Sequence, residues 1–553
     1  MLTRTFVFLT GVVGGVAALA TWLYPRPHVP DSSLWLDRSA WTATDQQSVA
    51  AIDAEFARAW SDAGLQPADP ADELVVVRRL SLALTGTVPS LEELRALEQL
   101  PADERIEAWT DYLLQDRRHA DYFAERLARS LVGVQDGPFL VFRRRRFVHW
   151  LSEQLHENRP YDAIVRDLLT DEGLWTDSPA VNFVTATLDQ NADNQPDPIK
   201  LAARTSRAFL GLRIDCLQCH DDNLGTIDLG DAAALRGGTQ EDFHQLASFF
   251  GNVRSTLRGI RDEQPERMTD YQVKYLDAET ETAVPRLVPY RQDLVSDDPI
   301  PRRALADWVT PPENQPFARA IVNRVWALMT GRPLTESVDD IELYGPFPAG
   351  LDALAADLVR RDYDLRHLIR TIARTRAFRT DSRAAFEITE EHERLWAVFP
   401  VTRLRPEQIA GGIIQASSLR TINGQAGVFA RLTRFGQENE FVDRFGDLGE
   451  DEFNMTGGTI PQRLLLMNGE LVGERTRSSE LILNASAQVA LLAPDDRSAV
   501  ETAYLITLTR RPTDEERAAF ERRLEGTSGD ERRRVVEDLI WVLVNGSEFF
   551  WNH

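Results

Sequence analysis

The sequence predicts a mainly α-helical fold: two helical domains joined by a small β or extended connector, behind an N-terminal membrane helix. Three observations lead there. Apolar residues recur at three- and four-residue steps through most of residues 47–253 and 301–553, the period of an amphipathic helix. Between them, residues 254–300 change to a period of two, interrupted by Pro285 and Pro289, as in short or edge strands. Residues 5–24 carry no charge, and a run of about twenty such residues is long enough to cross a bilayer as a helix.

Arg4 precedes the uncharged run, and Trp22 and Tyr24 near its end suit a membrane interface, which favours an uncleaved anchor. Ala18-Leu19-Ala20 also offers a small-residue cleavage site, so a removed signal peptide is the alternative. Pro25, Pro27 and Pro30 make residues 25–46 a tether. Ala51, Phe56, Ala57 and Trp60 mark a helix from Gln47 onward, and a second apolar stripe covers 74–84 until Gly86 stops it. Ser90 and Glu93 have the spacing of a capping box for the next helix, and further helices follow near 103–116 and 119–133. Arg143, Arg144, Arg145 and Arg146 form the sharpest charge run. They read as a clamp for carboxylates or an acidic partner, or as a helix start whose long stems cover Phe147, Trp150 and Leu151.

Residues 198–212 form a helix that runs into the two cysteines of the chain, and 239–250 a helix with Phe243, Leu246, Phe249 and Phe250 as its stripe. Strand-like alternation at 271–276 and 284–290 builds the connector. Helical period resumes at Arg302; Ile321, Val322, Val325, Trp326 and Met329 share one face before Gly331. Later helices fall near 350–361, 364–376, 405–417, 460–474, 497–509, 513–525 and 530–548, and 420–459, rich in Gly and Asn, reads as a long ordered loop. The predicted organisation is a membrane segment (1–24), a tether (25–46), the cysteine-bearing domain (47–253), a connector (254–300) and a second helical domain (301–553).

With 43% apolar and 27% charged residues among 553, the composition is that of folded material. A formal charge of −24 with no extended basic face excludes a nucleic-acid binder. Two cysteines exclude a disulfide-stapled scaffold, so ordinary apolar burial must hold the core.

Those two cysteines lie in Cys216-Leu217-Gln218-Cys219-His220. Cys-x-x-Cys-His is the attachment signature of a c-type haem: both thiols form thioethers with the vinyl groups, and the histidine that follows ligates the iron. Two other readings stand beside it. The pair can close a local disulfide in an oxidising compartment, or contribute to a zinc site that takes its fourth ligand from elsewhere. An exported chain places the motif where c-type haem is attached in bacteria, so the N-terminus and the motif agree. No phosphate-binding Gly-Lys-Ser/Thr loop, nucleophile elbow or His-Glu-x-x-His pair is present.

Several long runs resemble the Planctomycete cytochrome-like family, exported bacterial proteins with two linked domains of unknown function and a central CxxCH motif. They are RRLSLALTGTVPSLEEL from Arg78, RPYDAIVRDLL from Arg159, RAFLGLRIDCLQCHD from Arg207 and EDFHQLASFF from Glu241. RRALADWVTPPENQPFARAIVNRVWALMTGRPL follows from Arg302, YDLRHLIRTIARTRAFR from Tyr363 and DLIWVLVNGSEFFWNH from Asp538. The resemblance implies that Cys216, Cys219 and His220 hold one covalent haem c, with His220 proximal. It also shows a departure. The family usually continues Asp-His-Lys-Phe-Asp-Pro after Cys-His, whereas Asp221-Asp222-Asn223-Leu224-Gly225-Thr226 follows here, with Asp222 in place of the second histidine.

An electron carrier usually fills the sixth iron position with His or Met. His244, at a position where the family generally has an aromatic residue, and Met268 are the distal candidates; with neither in place the distal face is open. The expected function is electron transfer to a redox partner protein by a membrane-tethered haem protein of the bacterial periplasm or cell surface, held to the inner membrane by its N-terminal helix. A non-enzymatic scaffold with a Cys216–Cys219 disulfide or another metal, and a haem enzyme with an open distal site, are the alternatives.

Overall fold

The computed structural model describes residues 42–135, 143–188, 193–275, 279–422, 440–446, 449, 453, 459–468 and 484–553. Among the described residues helices dominate, and the strands pair only as two-stranded antiparallel ribbons. The mainly α prediction therefore holds. The membrane helix in that prediction finds no counterpart: no helix among the described residues is long and apolar enough to cross a membrane. The longest, Ala43–Asp62, is amphipathic, with Asp45, Asp53, Glu55 and Arg58 set among Ile52, Phe56 and Trp60. The predicted membrane segment and the tether as far as residue 41 lie outside the described residues.

The end of the tether is helix instead. Thr42 and Asp45 cap each other's backbone, so the first helix starts at Ala43 rather than at Gln47. Glu73–Thr85 ends at Gly86, whose φ of 68° and contact with the Tyr122 ring leave no room for a Cβ. The Ser90–Glu93 capping box is formed. Two helices of eight residues or more escaped the periodicity reading, Tyr161–Thr170 and Ala485–Leu492, as did the short Asn182–Thr185 and Glu390–Arg394. The helix expected at 460–474 is described over Ile460–Asn468, and most of the expected 420–459 loop lies outside the described residues.

The connector contains Tyr271–Val273 paired with Thr282–Val284, and a hairpin, Val253–Thr256 with Gly259–Asp262, that the alternation did not reveal. That hairpin is pinned by an antiparallel bridge between Gly173 and Ile260; a Cβ on Gly259 would strike the Gly173 carbonyl. Beyond Val284 the expected second strand gives way to an irregular stretch ending at buried Tyr290. Its hydroxyl donates to Asn314 Oδ1 at 2.9 Å, and its carbonyl accepts from Trp308 Nε1 at 2.9 Å.

The hydrophobic core does not divide at the connector. One cluster runs from Ile52 through Phe209, Phe243 and Trp308 to Phe399. A second gathers residues 404–550 around Leu82 and Val88, two residues from the N-terminal half. Helix Pro198–Leu210, which delivers the cysteine motif, packs directly on Gln315–Thr330.

Candidate functional site: the Cys216–His220 turn

Asp197 starts the helix that positions the motif. Its carboxylate accepts from the Ile199 and Lys200 amides at 2.9 and 3.2 Å, with Pro198 at the first helical position. Gly211, at φ 64°, ends the helix, and Leu212 and Ile214 stay buried. The chain then makes a 3-10 turn, Asp215–Gln218. Leu217 is the inward residue of that turn and is fully buried, closed over by Gly238. With Leu217 held inside, Cys216, Gln218, Cys219 and His220 all face solvent. Neither thiol is bonded to the other, and the Cys219 amide donates to the Cys216 carbonyl at 3.2 Å.

His220 Nδ1 lies 2.7 Å from the Asp221 carbonyl. A carbonyl only accepts, so Nδ1 carries the hydrogen and the neutral ring keeps Nε2 as a bare acceptor. Ligating histidines show this arrangement: one nitrogen donates to a fixed oxygen and the other is free for a metal.

Asp222, where the family run has histidine, organises the next loop. Its carboxylate accepts from the amides of Leu224 and Gly225, both at 3.1 Å, and of Ile227 at 2.8 Å. These bonds, that from Ile227 foremost, hold its pKa below the ordinary carboxylate range. The departure at this position therefore replaces an imidazole with a loop-capping carboxylate. Asp221 accepts from the Gln240 amide at 2.7 Å, tying the turn to the start of helix Gln240–Ala247.

That helix begins with a capping box between Thr239 and Asp242, and Arg236 closes onto Asp242. The predicted aromatic stripe is plain core: Phe243, Leu246, Phe249 and Phe250 are all buried in the main cluster. His244 is brought to the motif and is buried. Its Nε2 lies 3.3 Å from the Gln218 carbonyl, and its Nδ1 3.5 Å from the Tyr271 hydroxyl. Burial lowers its pKa, so the ring is neutral. Met268 is half-buried, with its sulfur 4.0 Å from the Arg286 guanidinium.

The arginine run serves the fold. Arg144 is buried and bidentate to Glu125 at 2.8 and 2.7 Å, Arg143 lies over the Trp175 ring, and Arg146 donates to the Thr176 carbonyl. Among the described residues no group of three or more His, Cys, Asp and Glu side chains is placed to hold a metal ion, so the ligands of a zinc site are not assembled at the motif. Periodicity missed the groups that hold the turn: Leu217, Gly238, Gln240 and Tyr271. The Thr239–Asp242 box was the one signal pointing to them.

The donor set therefore fits a haem c: two accessible thiols three residues apart and an imidazole with one nitrogen committed and the other bare. Residues 51–255 match the family model PSCyt2, described as a protein of unknown function (DUF1549). Residues 301–440 match PSD1, likewise a protein of unknown function (DUF1553). Comparison with curated proteins and with solved structures finds no match for this chain. The chain thus pairs a DUF1549-like region, which carries the cysteine turn, with a DUF1553-like region whose long helix supports it.

Proposed function

We propose that the Cys216–His220 turn attaches one haem c and that the protein transfers electrons to a partner protein outside the cytoplasm. Cys216 and Cys219 supply the thioether sulfurs, and His220 supplies the proximal nitrogen. The observation that carries the reading is the state of the three side chains: both thiols are free and accessible, and the only bonded nitrogen of His220 is the one a ligating histidine commits to a carbonyl. When bound, the haem supplies one-electron chemistry. The protein's part is to hold the three attachment residues on a turn anchored by Leu217, with Asp221 and Asp222 tying the flanking chain down.

The test is production with cytochrome c maturation machinery, followed by pyridine haemochrome spectra and intact mass. One haem per chain that resists acid–acetone extraction is expected, and replacing both cysteines by alanine should abolish it. Matured protein with no iron and a mass matching the bare polypeptide would overturn the proposal. A mass two hydrogens lighter would identify the disulfide scaffold in its place.

A further inference from the structure

The structure assigns His244 the role of a positioning residue: it holds the Gln218–Cys219 peptide in place and leaves the iron's sixth position to another group. The assignment begins with the Gln218 carbonyl, which receives two donors, Gln240 Nε2 at 3.0 Å and His244 Nε2 at 3.3 Å. Since that oxygen only accepts, His244 Nε2 carries the hydrogen and has no lone pair to offer a metal. The ring's other nitrogen then accepts from the Tyr271 hydroxyl. Ring contacts fix the plane: Phe243 and Tyr275 meet it edge-on at 5.6 and 5.8 Å, and Tyr271 lies tilted at 6.3 Å.

The bonded carbonyl belongs to the peptide that leads into Cys219, and the Cys219 amide closes the turn on Cys216. Turning that peptide moves Cys219 relative to Cys216 and swings His220 with it. Tyr271 comes from the connector ribbon, so a chain of contacts runs from ribbon to imidazole to the residue between the two thiols. Groups bonded to a ligand-bearing segment in this way fix its geometry, and their loss typically costs about 10–100-fold in metal affinity or activity. Gln218 and His244 are 26 residues apart, so periodicity alone brings neither to the other.

The role rests on the haem proposal only in its spectroscopic arm, and the experiment separates the two. His244→Gln retains an N–H donor near the Nε2 position; His244→Phe removes it; Tyr271→Phe removes only the hydroxyl. In matured protein, H244Q should keep wild-type haem stoichiometry and ferric spin state, while H244F lowers stoichiometry about tenfold. In protein made without maturation, iodoacetamide should alkylate Cys219 at the wild-type rate in H244Q and at a rate several-fold different in H244F, with Y271F between them. A conversion from low to high spin in H244Q would make His244 an iron ligand and overturn the assignment. Wild-type thiol kinetics in both H244F and Y271F would overturn it equally, whether or not haem is attached.

Discussion

At the scale of single residues, the site depends on a few polar side chains that fix backbone beside an exposed motif. Asp222 is the clearest. Three amides of one loop point at its carboxylate, and an imidazole at this position, with a single acceptor nitrogen, could not take all three. Asp222→Ala should therefore free the amides of Leu224, Gly225 and Ile227, with hydrogen exchange there about tenfold faster and Leu74–Leu84 amides unchanged. The same bonds have a pH signature. Because the folded pKa lies below the ordinary value of 3.8, the ionised carboxylate stabilises the loop at neutral pH, and that contribution disappears as pH falls through the lowered pKa. Exchange in the wild-type loop should thus remain slow to pH 4 after correction for intrinsic rates. Equal protection in wild type and D222A would remove Asp222 from this role.

At the scale of elements, helix ends were the most legible features and contacts between elements the least. Gly86 and Gly331 were readable as stops, and Ser90 with Glu93 as a start, because each local signal needs only its own few residues; Gly211, which the expected 198–212 helix ran past, is a stop only in the structure. The Val253–Asp262 hairpin was hidden because its register depends on Gly173, some eighty residues upstream, rather than on alternation of its own. The cysteine turn was legible as a motif, but its support by Gln240, His244 and Tyr271 was not. Buried His119 shows how one contact between elements becomes measurable. Its Nδ1–H donates to the Leu84 carbonyl, in the last turn of Glu73–Thr85, and burial pushes its pKa down to about 3. Below 6.5 the unfolded imidazole takes up a proton that the folded one refuses, so stability is full above pH 6.5 and declines as pH falls toward 3. Between pH 7 and 5 this group alone should cost about 2 kcal/mol. His119→Gln keeps a donor for Leu84 and removes the titration. Its urea-unfolding free energy should change less over that interval by about that amount, and parallel pH profiles would refute the account.

At the scale of the whole molecule, the two family-matched regions share interior rather than merely adjoin. The first helix, Ala43–Asp62, belongs to the N-terminal half but packs on the C-terminal one: Phe56 stacks on Trp326 at 5.7 Å, Trp60 Nε1 donates to the Leu395 carbonyl at 2.7 Å, and Asp45 pairs with Arg361. Buried Glu407 takes Arg126 and Arg405 at 2.8 and 3.0 Å, joining residues 281 positions apart. The guanidinium of Arg78 donates to the Thr507 and Phe549 carbonyls, and that of Arg79 to those of Phe378, Thr380 and His553. A separate 301–553 fragment would expose the Trp326 surface to water and leave those carbonyls without their donors, each of which costs about 1–3 kcal/mol if it stays buried. Against a net stability of about 5–15 kcal/mol for an ordinary domain, such losses are enough to abolish folding. Neither 42–300 nor 301–553 should melt cooperatively when made alone, whereas the two mixed should recover a single transition, and Arg79→Ala should lower its midpoint in the mixture and in the intact chain. A 301–553 fragment that unfolds cooperatively near the midpoint of the full protein would show that the shared core is dispensable. The cysteine turn, resting on Gln315–Thr330 through helix Pro198–Leu210, would then have to be held by the N-terminal half alone.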